Sequence, residues 1–269
     1  MLRANSALSS REASIAVTAA PAVRFDGASM RYGQTAVLAP LEFAIERGER
    51  VAVIGPSGAG KTTLLRLMAG AIAPTTGVVE LCGRDLARLR PGRELARLVG
   101  MIAQQFDLVP NLSALHNVLA GRLGDWSLAR SLLSLVWPQE RRIAMDALDR
   151  VGVAQLAHQS AGRLSGGEQQ RVAIARVLVQ NPTVVLADEP VASLDPARAR
   201  EALGLLTTVT EEQGATLIAS LHSVDLARER FDRIVGLRNG VVQFDTAACE
   251  VHDGMLSELY EIEGLRSEV

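Results

Sequence analysis

Lysine is almost absent from this sequence, which carries 27 arginines but only one lysine, Lys61. Cysteine is also scarce, because Cys82 and Cys249 are the two in the chain, and they lie too far apart to form a CxxC pair. This spacing argues against a disulfide framework and against a zinc site. We therefore interpret both cysteines as reduced thiols that pack inside a cytosolic protein.

Long apolar runs are missing too, since no window approaches the roughly 20 uninterrupted apolar residues that span a bilayer. We expect that the chain does not itself cross a membrane and that any membrane role is peripheral. The first 22 residues are rich in alanine and serine, and their short apolar run follows Arg11-Glu12 instead of a basic segment. This argues against a signal peptide. We expect residues 1–22 to form a mobile extension without a function of its own.

An excess of positive charge is also lacking, because the formal net charge is −2. The overall charge therefore lacks the excess of basic residues that is typical of nucleic-acid-binding proteins, and we expect no nucleic-acid partner. Hydrophobic residues make up 48% of the chain and charged residues 22%, which excludes a disordered protein. A chain of 269 residues is long enough for one large domain or two small ones.

Short apolar runs alternate with helical patterns from Val23 onward, which predicts an α/β domain with a mainly parallel sheet. Ligands bind such sheets at the carboxyl ends of the strands. One run precedes a glycine-rich loop, a second ends in two acids and a third ends in histidine, so we expect these groups to converge on one site. In a fourth run, Asn239-Gly240 predicts a tight hairpin turn. The four runs are residues 50–55, 183–189, 215–222 and 233–244.

Helical signals replace the strand pattern in the middle of the chain. Ile143, Ala147 and Val151 recur at helical spacing. The segment between about residues 106 and 165 is also longer than loops without secondary structure usually are. No internal repeat is present, so we expect one such ligand-binding unit per chain. The predicted divisions are a main domain at residues 23–246, a helical subdomain inserted at about residues 106–165, and a short tail at residues 247–269.

The stretch "GPSGAGKT", residues 55–62, matches the phosphate-binding pattern G-x-x-x-x-G-K-[ST] between a predicted strand and a predicted helix. Gly58 and Gly60 allow main-chain amides to turn toward phosphate oxygens, and the dipole of the helix adds to the attraction. Thr62 offers a hydroxyl to Mg²⁺, and Thr63 lies within reach of a phosphate oxygen. A glycine-rich turn that binds nothing is the alternative.

The single lysine of the chain lies in this pattern. A compact ammonium on a flexible stem reaches the β- and γ-phosphates inside a tight nest of amides, whereas a flat, forked guanidinium is crowded there. We therefore infer that geometry requires lysine at position 61, while arginine is tolerated elsewhere. Chance survival of one lysine in an arginine-rich protein is the alternative.

Polar residues that follow the predicted strands suggest a hydrolytic site. Asp188 and Glu189 come directly after a buried run, where an unpaired carboxylate is costly. We predict that Asp188 holds Mg²⁺, either directly or from its second coordination sphere, and that Glu189 orients the attacking water as a base. We also expect Gln104 to contact metal and water and His222 to reach the γ-phosphate. The alternatives are a pair of surface acids and two structural side chains.

The stretch "LSGGEQQR", residues 164–171, resembles the signature of ABC-type ATPases. The resemblance implies a P-loop NTPase core with a mainly parallel sheet, an antiparallel β subdomain and an inserted helical subdomain. It also implies ATP and Mg²⁺ as the bound cofactors. The other matching motifs follow in family order: Tyr32 as the residue that stacks on adenine, Gln104 as the Q-loop, Asp188-Glu189 as Walker B, "SLDP" at 193–196 as the D-loop, and His222 as the switch histidine.

The resemblance assigns a role to each matching position. The catalytic residues it implies are Lys61, Gln104, Glu189 and His222, and the metal-binding residues are Thr62, Gln104 and Asp188. The nucleotide-binding residues it implies are Tyr32, Gly55, Pro56, Ser57, Gly58, Ala59, Gly60, Lys61, Thr62, Thr63, Ser165, Gly166, Gly167, Glu168 and Asp195.

A composite site in a homodimer is the arrangement that the resemblance implies. The phosphate loop of one copy holds a nucleotide, and its γ-phosphate is enclosed by Ser165, Gly166 and Gly167 of the second copy. Hydrolysis lets the copies separate and thereby moves attached transmembrane permease subunits. A periplasmic or extracellular solute-binding protein takes part indirectly. The implied location is peripheral, on the cytoplasmic face of the cell membrane.

Several longer stretches resemble the ATPase subunits of phosphonate importers, including relatives that take up phosphite. They include "NVLAGRLG" followed by Trp126, "ADEPVASLDP", "LHSVDLA" and "FDRIVGLRNGVVQFD". One alternative is an ABC ATPase for another substrate, such as an amino acid, or for lipoprotein release. Another is a soluble ABC protein that acts on ribosomes or DNA, although such proteins usually carry two ATPase units or a long coiled-coil insertion.

Overall fold

A computed structural model describes residues 20–260 of the chain, except 91, 138 and 193. The predicted extension up to residue 19, the end of the tail from residue 261, and Ser193 of the D-loop-like stretch lie outside the described residues. The strands are β1 (Val23–Tyr32), β2 (Thr35–Ile45), β3 (Arg50–Ile54), β4 (Thr76–Leu81), β5 (Arg84–Asp85), β6 (Val99–Ile102), β7 (Val184–Asp188), β8 (Thr216–Leu221), β9 (Arg233–Arg238) and β10 (Val241–Ala247). The α-helices are α1 (Lys61–Met68), α2 (Arg93–Leu98), α3 (Ala114–Leu119), α4 (Leu128–Val136), α5 (Arg141–Arg150), α6 (Gly166–Gln180), α7 (Pro196–Glu212), α8 (Val224–Arg230) and α9 (Asp253–Tyr260).

The larger sheet has the strand order β10-β9-β3-β8-β7-β6. Neighbouring strands from β9 to β6 run parallel, and β10 pairs antiparallel with β9 at one edge. The β9–β10 hairpin turns on Asn239 and Gly240, both at positive φ, as a tight two-residue turn requires. The predicted, mainly parallel sheet and its hairpin are confirmed.

A second, antiparallel sheet has the order β2-β1-β4-β5 and packs against the first. The central strands of the larger sheet are buried on both faces, as expected for parallel strands covered by other layers. Val51 and Val53 of β3 face the core shared with the antiparallel sheet, whereas Ala52 and Ile54 face the core shared with the helices. The predicted combination of a parallel core and an antiparallel β subdomain is confirmed.

Four α-helices between β6 and β7, α3 to α6, provide the inserted helical layer. Helices α3 and α5 pack on α6, which leads back to β7. Ala147 and Val151 are buried in this layer, together with Leu148. Ile143 shares their helical spacing but is 44% exposed, because the buried face of α5 is shifted by one residue to Ala144. The helix prediction is confirmed, and Ile143 lies outside its packed face.

Two other expectations change in the structure. Cys82 is half-buried and Cys249 is exposed, and both are free thiols, so the prediction that Cys249 packs in the interior is wrong. Cys249 lies in a short turn between β10 and α9, where its side chain faces solvent. Ala22, assigned by the sequence to the mobile extension, is fully buried because its backbone bonds with those of Ile45 and Cys82.

The end of the described chain is packed on the domain. Helix α9 contacts β9, and Leu259 is fully buried. Tyr260 is half-buried against the same core as the helical layer. In the part of the chain that the structure describes, no helix combines the length and apolar character needed to cross a membrane.

Candidate nucleotide site

Four of the predicted site segments meet at one edge of the larger sheet. The phosphate loop follows β3, Gln104 follows β6, Asp188 is the last residue of β7, and His222 follows β8. These four strands are consecutive in the sheet and run parallel, so their carboxyl ends lie at the same edge. The fold brings four separate parts of the chain to one place.

The phosphate loop lies between β3 and the first turn of α1. Gly55 and Gly60 have φ values of 151° and 104°. A Cβ on Gly55 would lie 1.9 Å from the carbonyl oxygen of Leu237, and one on Gly60 would lie 2.8 Å from Leu38 Cδ2. Glycine is therefore required at both ends of the loop, where it packs directly on neighbouring strands.

The middle of the loop is open. Gly58 is exposed, and a Cβ placed on it would have no atom within 4 Å. Pro56 is half-buried, Ser57 is exposed and Ala59 is buried. Thr63 is half-buried in the first turn of α1. The loop therefore presents its backbone to solvent between two tightly packed ends, the arrangement that suits an anion.

Lys61 is the first residue of α1 and is buried, with 5% of its surface exposed. Its Nζ donates hydrogen bonds to the carbonyl oxygens of Gly55, at 2.8 Å, and Pro56, at 3.1 Å. Burial lowers the pKa of the ammonium, while the charges of Glu189 and Asp188 oppose this shift. The side chain thus folds over the loop, and two carbonyl oxygens of the loop hold its ammonium group in place.

Asp188 is buried, with 4% of its surface exposed, and the burial of its carboxylate would be unfavourable without polar partners. Its Oδ1 accepts hydrogen bonds from the hydroxyls of Ser220, at 2.7 Å, and Thr62, at 3.2 Å. A hydroxyl and a carboxylate oxygen thus lie side by side at the start of α1. These hard oxygen donors fit Mg²⁺, which usually takes its other ligands from water and substrate phosphates.

Glu189 lies between two of the other predicted catalytic side chains, those of Gln104 and His222. Its Oε1 is 2.6 Å from His222 Nε2, and its Oε2 accepts from Gln104 Nε2 at 3.3 Å. Its backbone has a φ of 49°, which is unfavourable for a residue other than glycine and is found mainly at functional sites. A cavity of about 390 Å³ opens beside Glu189 and His222. The carboxylate is held from both sides and faces open space.

Ser220 is a site residue that the motif search missed. It is fully buried in β8, where it donates to Asp188 and its Oγ also accepts the backbone N–H of Glu189 at 2.9 Å. One hydroxyl therefore fixes both acids at the end of β7. A serine inside the otherwise apolar run "LIASL" was the only signal in the sequence.

We expect Ser220→Ala to destabilise the protein by about 1–3 kcal/mol, because it leaves a buried carboxylate and a buried N–H short of a partner. Urea unfolding measures the change. Thr210→Val is the matched control, since Thr210 is an equally buried hydroxyl that bonds only to carbonyls of its own helix. ATP turnover should fall in the Ser220 variant and persist in the control. Equal turnover in both would contradict the role of Ser220.

The signature residues form a separate group at the start of α6. Ser165 is the N-cap, and both its N–H and its hydroxyl donate to Glu168 Oε2 at 2.8 Å. These two bonds lower the pKa of Glu168, the backbone bond most strongly. The structure thus gives Glu168 a capping role that the resemblance did not identify. Gly166 is exposed and Gly167 is half-buried in the first turn of α6, where backbone amides have no partner within the helix.

Of the remaining predicted residues, Asp195 lies near the signature residues, and Tyr32 lies apart from both groups. Asp195 is the N-cap of α7 and accepts the N–H of Arg198 at 3.1 Å. A cavity of about 200 Å³ joins Ser165 to the start of α7. Tyr32 ends β1 and is 47% exposed, free to stack on a planar ligand. Gln170, which the sequence did not suggest, is buried and links α6 to the carbonyl of Pro190, at 2.8 Å.

Comparisons with known structures agree with this architecture. The dimeric, post-hydrolysis structure of the ATP-binding cassette MJ0796 bound to ADP and Pi is 30% identical, with a TM-score of 0.70 over 84% of this chain and 98% of that chain. The structure of cbiO1 from Clostridium perfringens, part of the ABC transporter complex cbiONQ, is 27% identical, with a TM-score of 0.74 over 88% of this chain and 93% of that one.

Sequence comparisons identify the family. Several proteins named phosphonates import ATP-binding protein PhnC are similar to this chain. The one from Rhodopseudomonas palustris BisB5 is 46% identical over 88% of this chain and 89% of its own length. The one from Pseudomonas putida KT2440 is 45% identical over 91% of this chain and 91% of its own length. A relative of the same name in Anaeromyxobacter dehalogenans is 47% identical, and this chain spans about half, 48%, of its length. A family model described as ABC transporter matches residues 38–192. The chain belongs to the ABC transporter family and has the P-loop ATPase fold that its motifs predicted.

Proposed function

We propose that this chain binds and hydrolyses ATP as the energising subunit of an importer for phosphonates or related phosphorus oxyanions. The observation that carries the hydrolytic part is the position of Glu189 between Gln104 and His222, beside Lys61. The names of the relatives support phosphonates as the imported substrate.

Each group of the site has a distinct role in this proposal. The amides of residues 55–60 and the ammonium of Lys61 bind the β- and γ-phosphates. Thr62 and Asp188 hold Mg²⁺, which neutralises phosphate charge when bound. Glu189 orients the attacking water, and Gln104 and His222 keep its carboxylate in place. Tyr32 stacks on the adenine ring, and Thr63 contacts a phosphate oxygen. The result is a site built for phosphoryl transfer to water.

The open face at the start of α6 supports a composite site formed by two copies. Ser165, Gly166 and Gly167 of one copy close the γ-phosphate bound by the other, and Asp195 lies at the adjoining helix end. The dimeric state of the related cassette MJ0796 supports this arrangement. Loss of the γ-phosphate removes the shared contact and lets the copies separate.

Import requires partners that cross the membrane and bind the substrate. The dimer drives a pair of transmembrane permease subunits from the cytoplasmic face of the membrane, and a solute-binding protein delivers the substrate on the other side. Growth on a phosphonate as the sole phosphorus source tests the substrate. A deletion strain should fail to grow and recover with the intact gene, whereas normal growth in a strain without a second uptake system would reject phosphonate import.

Copurification separates transport from the other functions that the motifs allow. The chain should sediment with membranes when its permease is coexpressed, and it should remain in solution otherwise. Sedimentation with ribosomes would instead indicate a soluble ABC protein. Normal uptake of phosphonate together with loss of amino-acid uptake in the deletion strain would indicate an importer for a different substrate.

Gly167→Ala tests the composite site without disturbing the fold. A Cβ at this position meets no atom within 4 Å in the single chain, so we expect stability to be unchanged or raised by up to about 1 kcal/mol. The added methyl group should nevertheless obstruct the partner's γ-phosphate and prevent ATP-dependent dimerisation, measured by light scattering. Gly121→Ala is the contrasting control, since its Cβ would lie 2.4 Å from the carbonyl oxygen of Arg176 and should destabilise the protein. Normal dimerisation of the Gly167 variant would contradict the composite site.

A further inference from the structure

The segment that carries Gln104 is attached to α6 before and after this residue. Before it, the side-chain amide of Gln180 donates to the carbonyl oxygens of Ala96 and Val99, both at 2.8 Å. These bonds hold the end of α2 and the start of β6. The path of the chain toward Gln104 is therefore set by a side chain of the signature helix.

After Gln104, a single arginine of the same helix holds the chain. Arg176 lies one turn before Gln180, and its Nη2 and Nη1 donate to the carbonyl oxygens of Phe106 and Asp107, both at 2.8 Å. The planar fork of a guanidinium fits two successive carbonyls, which a lysine ammonium bonds less well. Burial lowers the pKa of Arg176, and the charge of Asp107 opposes this shift.

The backbone that Arg176 holds is unfavourable by itself. Phe106 and Asp107 have φ values of 60° and 46°, two consecutive left-handed residues of which neither is glycine. Such a conformation persists only where surrounding contacts impose it. In the structure these contacts include the two guanidinium bonds, which satisfy the carbonyls on the exit side of Gln104. The Phe106 N–H also donates to the carbonyl oxygen of Ala103 at 2.8 Å, and the Phe106 ring packs on the core.

We propose that Arg176 is a positioning residue that fixes Gln104 against Glu189 and couples this contact to the signature at the start of α6. The proposal rests on the role of Gln104 proposed above. Ser165 and Arg176 belong to one uninterrupted helix, about 16 Å apart along its axis. A displacement of the signature by nucleotide on the partner copy therefore moves the backbone beside Gln104 as well.

Steady-state ATP hydrolysis by the full-length chain tests this coupling. We expect Arg176→Gln to lower kcat about tenfold and to leave KM for ATP nearly unchanged, because the phosphate loop is untouched and only the orientation of the base is lost. Arg176→Lys, which retains the charge and one donor group, should recover part of the loss. Urea unfolding of each variant shows whether it is folded, and the lysine variant replaces the glutamine variant in the test below where it is not.

A double-mutant cycle separates positioning from general damage. If Arg176 acts through Gln104, Arg176→Gln should change kcat less than about twofold in a Gln104→Ala background. Arg171→Gln is the matched control on the same helix, since Arg171 bonds to Val151 and Glu201 and not to the Gln104 segment. Any loss of kcat caused by Arg171→Gln should multiply with the loss caused by Gln104→Ala.

Two results would overturn the inference in different ways. A tenfold loss from Arg176→Gln that persists in the Gln104→Ala background would show a purely structural role for the arginine. An unchanged kcat in Gln104→Ala alone would remove the proposed role of Gln104, and the inference with it. ATP hydrolysis by the intact chain would stand in either case.

Discussion

Glu189→Gln is expected to lower ATP turnover by a factor of about 10²–10⁴ while ATP binding is retained. The substitution keeps the shape of the side chain and one oxygen that can accept from Gln104 or His222. It removes the negative charge that, in the proposed mechanism, polarises a water molecule for attack on the γ-phosphate. Because the γ-phosphate then persists, the two copies should stay joined around ATP.

Turnover and oligomeric state measure the two parts of this prediction. Phosphate release gives the rate, and size-exclusion chromatography with ATP and Mg²⁺ should show a stable dimer for the variant. Glu211→Gln is a suitable control, because this glutamate is a largely exposed surface residue 3.5 Å from Arg50. A Glu189 variant with normal turnover, or one that remains monomeric with ATP, would contradict the assignment of the base.

Lys61→Arg should weaken ATP binding by about 10- to 100-fold, corresponding to the about 1.5–3 kcal/mol of a charge-assisted hydrogen bond. Lys61 is buried within the loop and bonds to Gly55 and Pro56, so a wider, planar guanidinium has no room to turn toward phosphate. Although the charge is conserved, the geometry is not.

Binding of a fluorescent ATP analogue, followed by competition with ATP, measures this loss. Arg66→Lys exchanges the same two residue types on the exposed face of α1 and should leave affinity unchanged. Wild-type affinity in the Lys61 variant would favour the alternative that lysine survives at this position by chance.

Much of the fold could be predicted because its central strands are buried on both faces. Such strands leave continuous apolar runs, and each run leads directly into the candidate site. Strand β7 ends at Asp188, His222 follows β8, and the phosphate loop follows β3. The glycine spacing of the phosphate loop is equally local, because the loop must turn within a few residues. The two acids, the lysine and the signature were therefore all visible in the sequence.

The contacts that hold the site together could not be predicted in this way. Ser220 and Arg176 act on residues 31 to 70 positions distant in the chain, and only the folded sheet brings these groups within bonding distance. Glu168 was assigned to the nucleotide by resemblance, yet in the single chain it caps its own helix. Motif spacing identifies the groups that contact a ligand and leaves out the groups that support them.

The arginine-rich composition has a practical consequence for work with the purified protein. Lys61 carries the one side-chain amine in the chain, and it lies inside the phosphate loop. Reagents that acylate amines, whether fluorophores, surface-coupling esters or crosslinkers, will therefore attach at the terminal amino group or inactivate the enzyme. A fluorescent label or a solid support is better attached through the exposed thiol of Cys249.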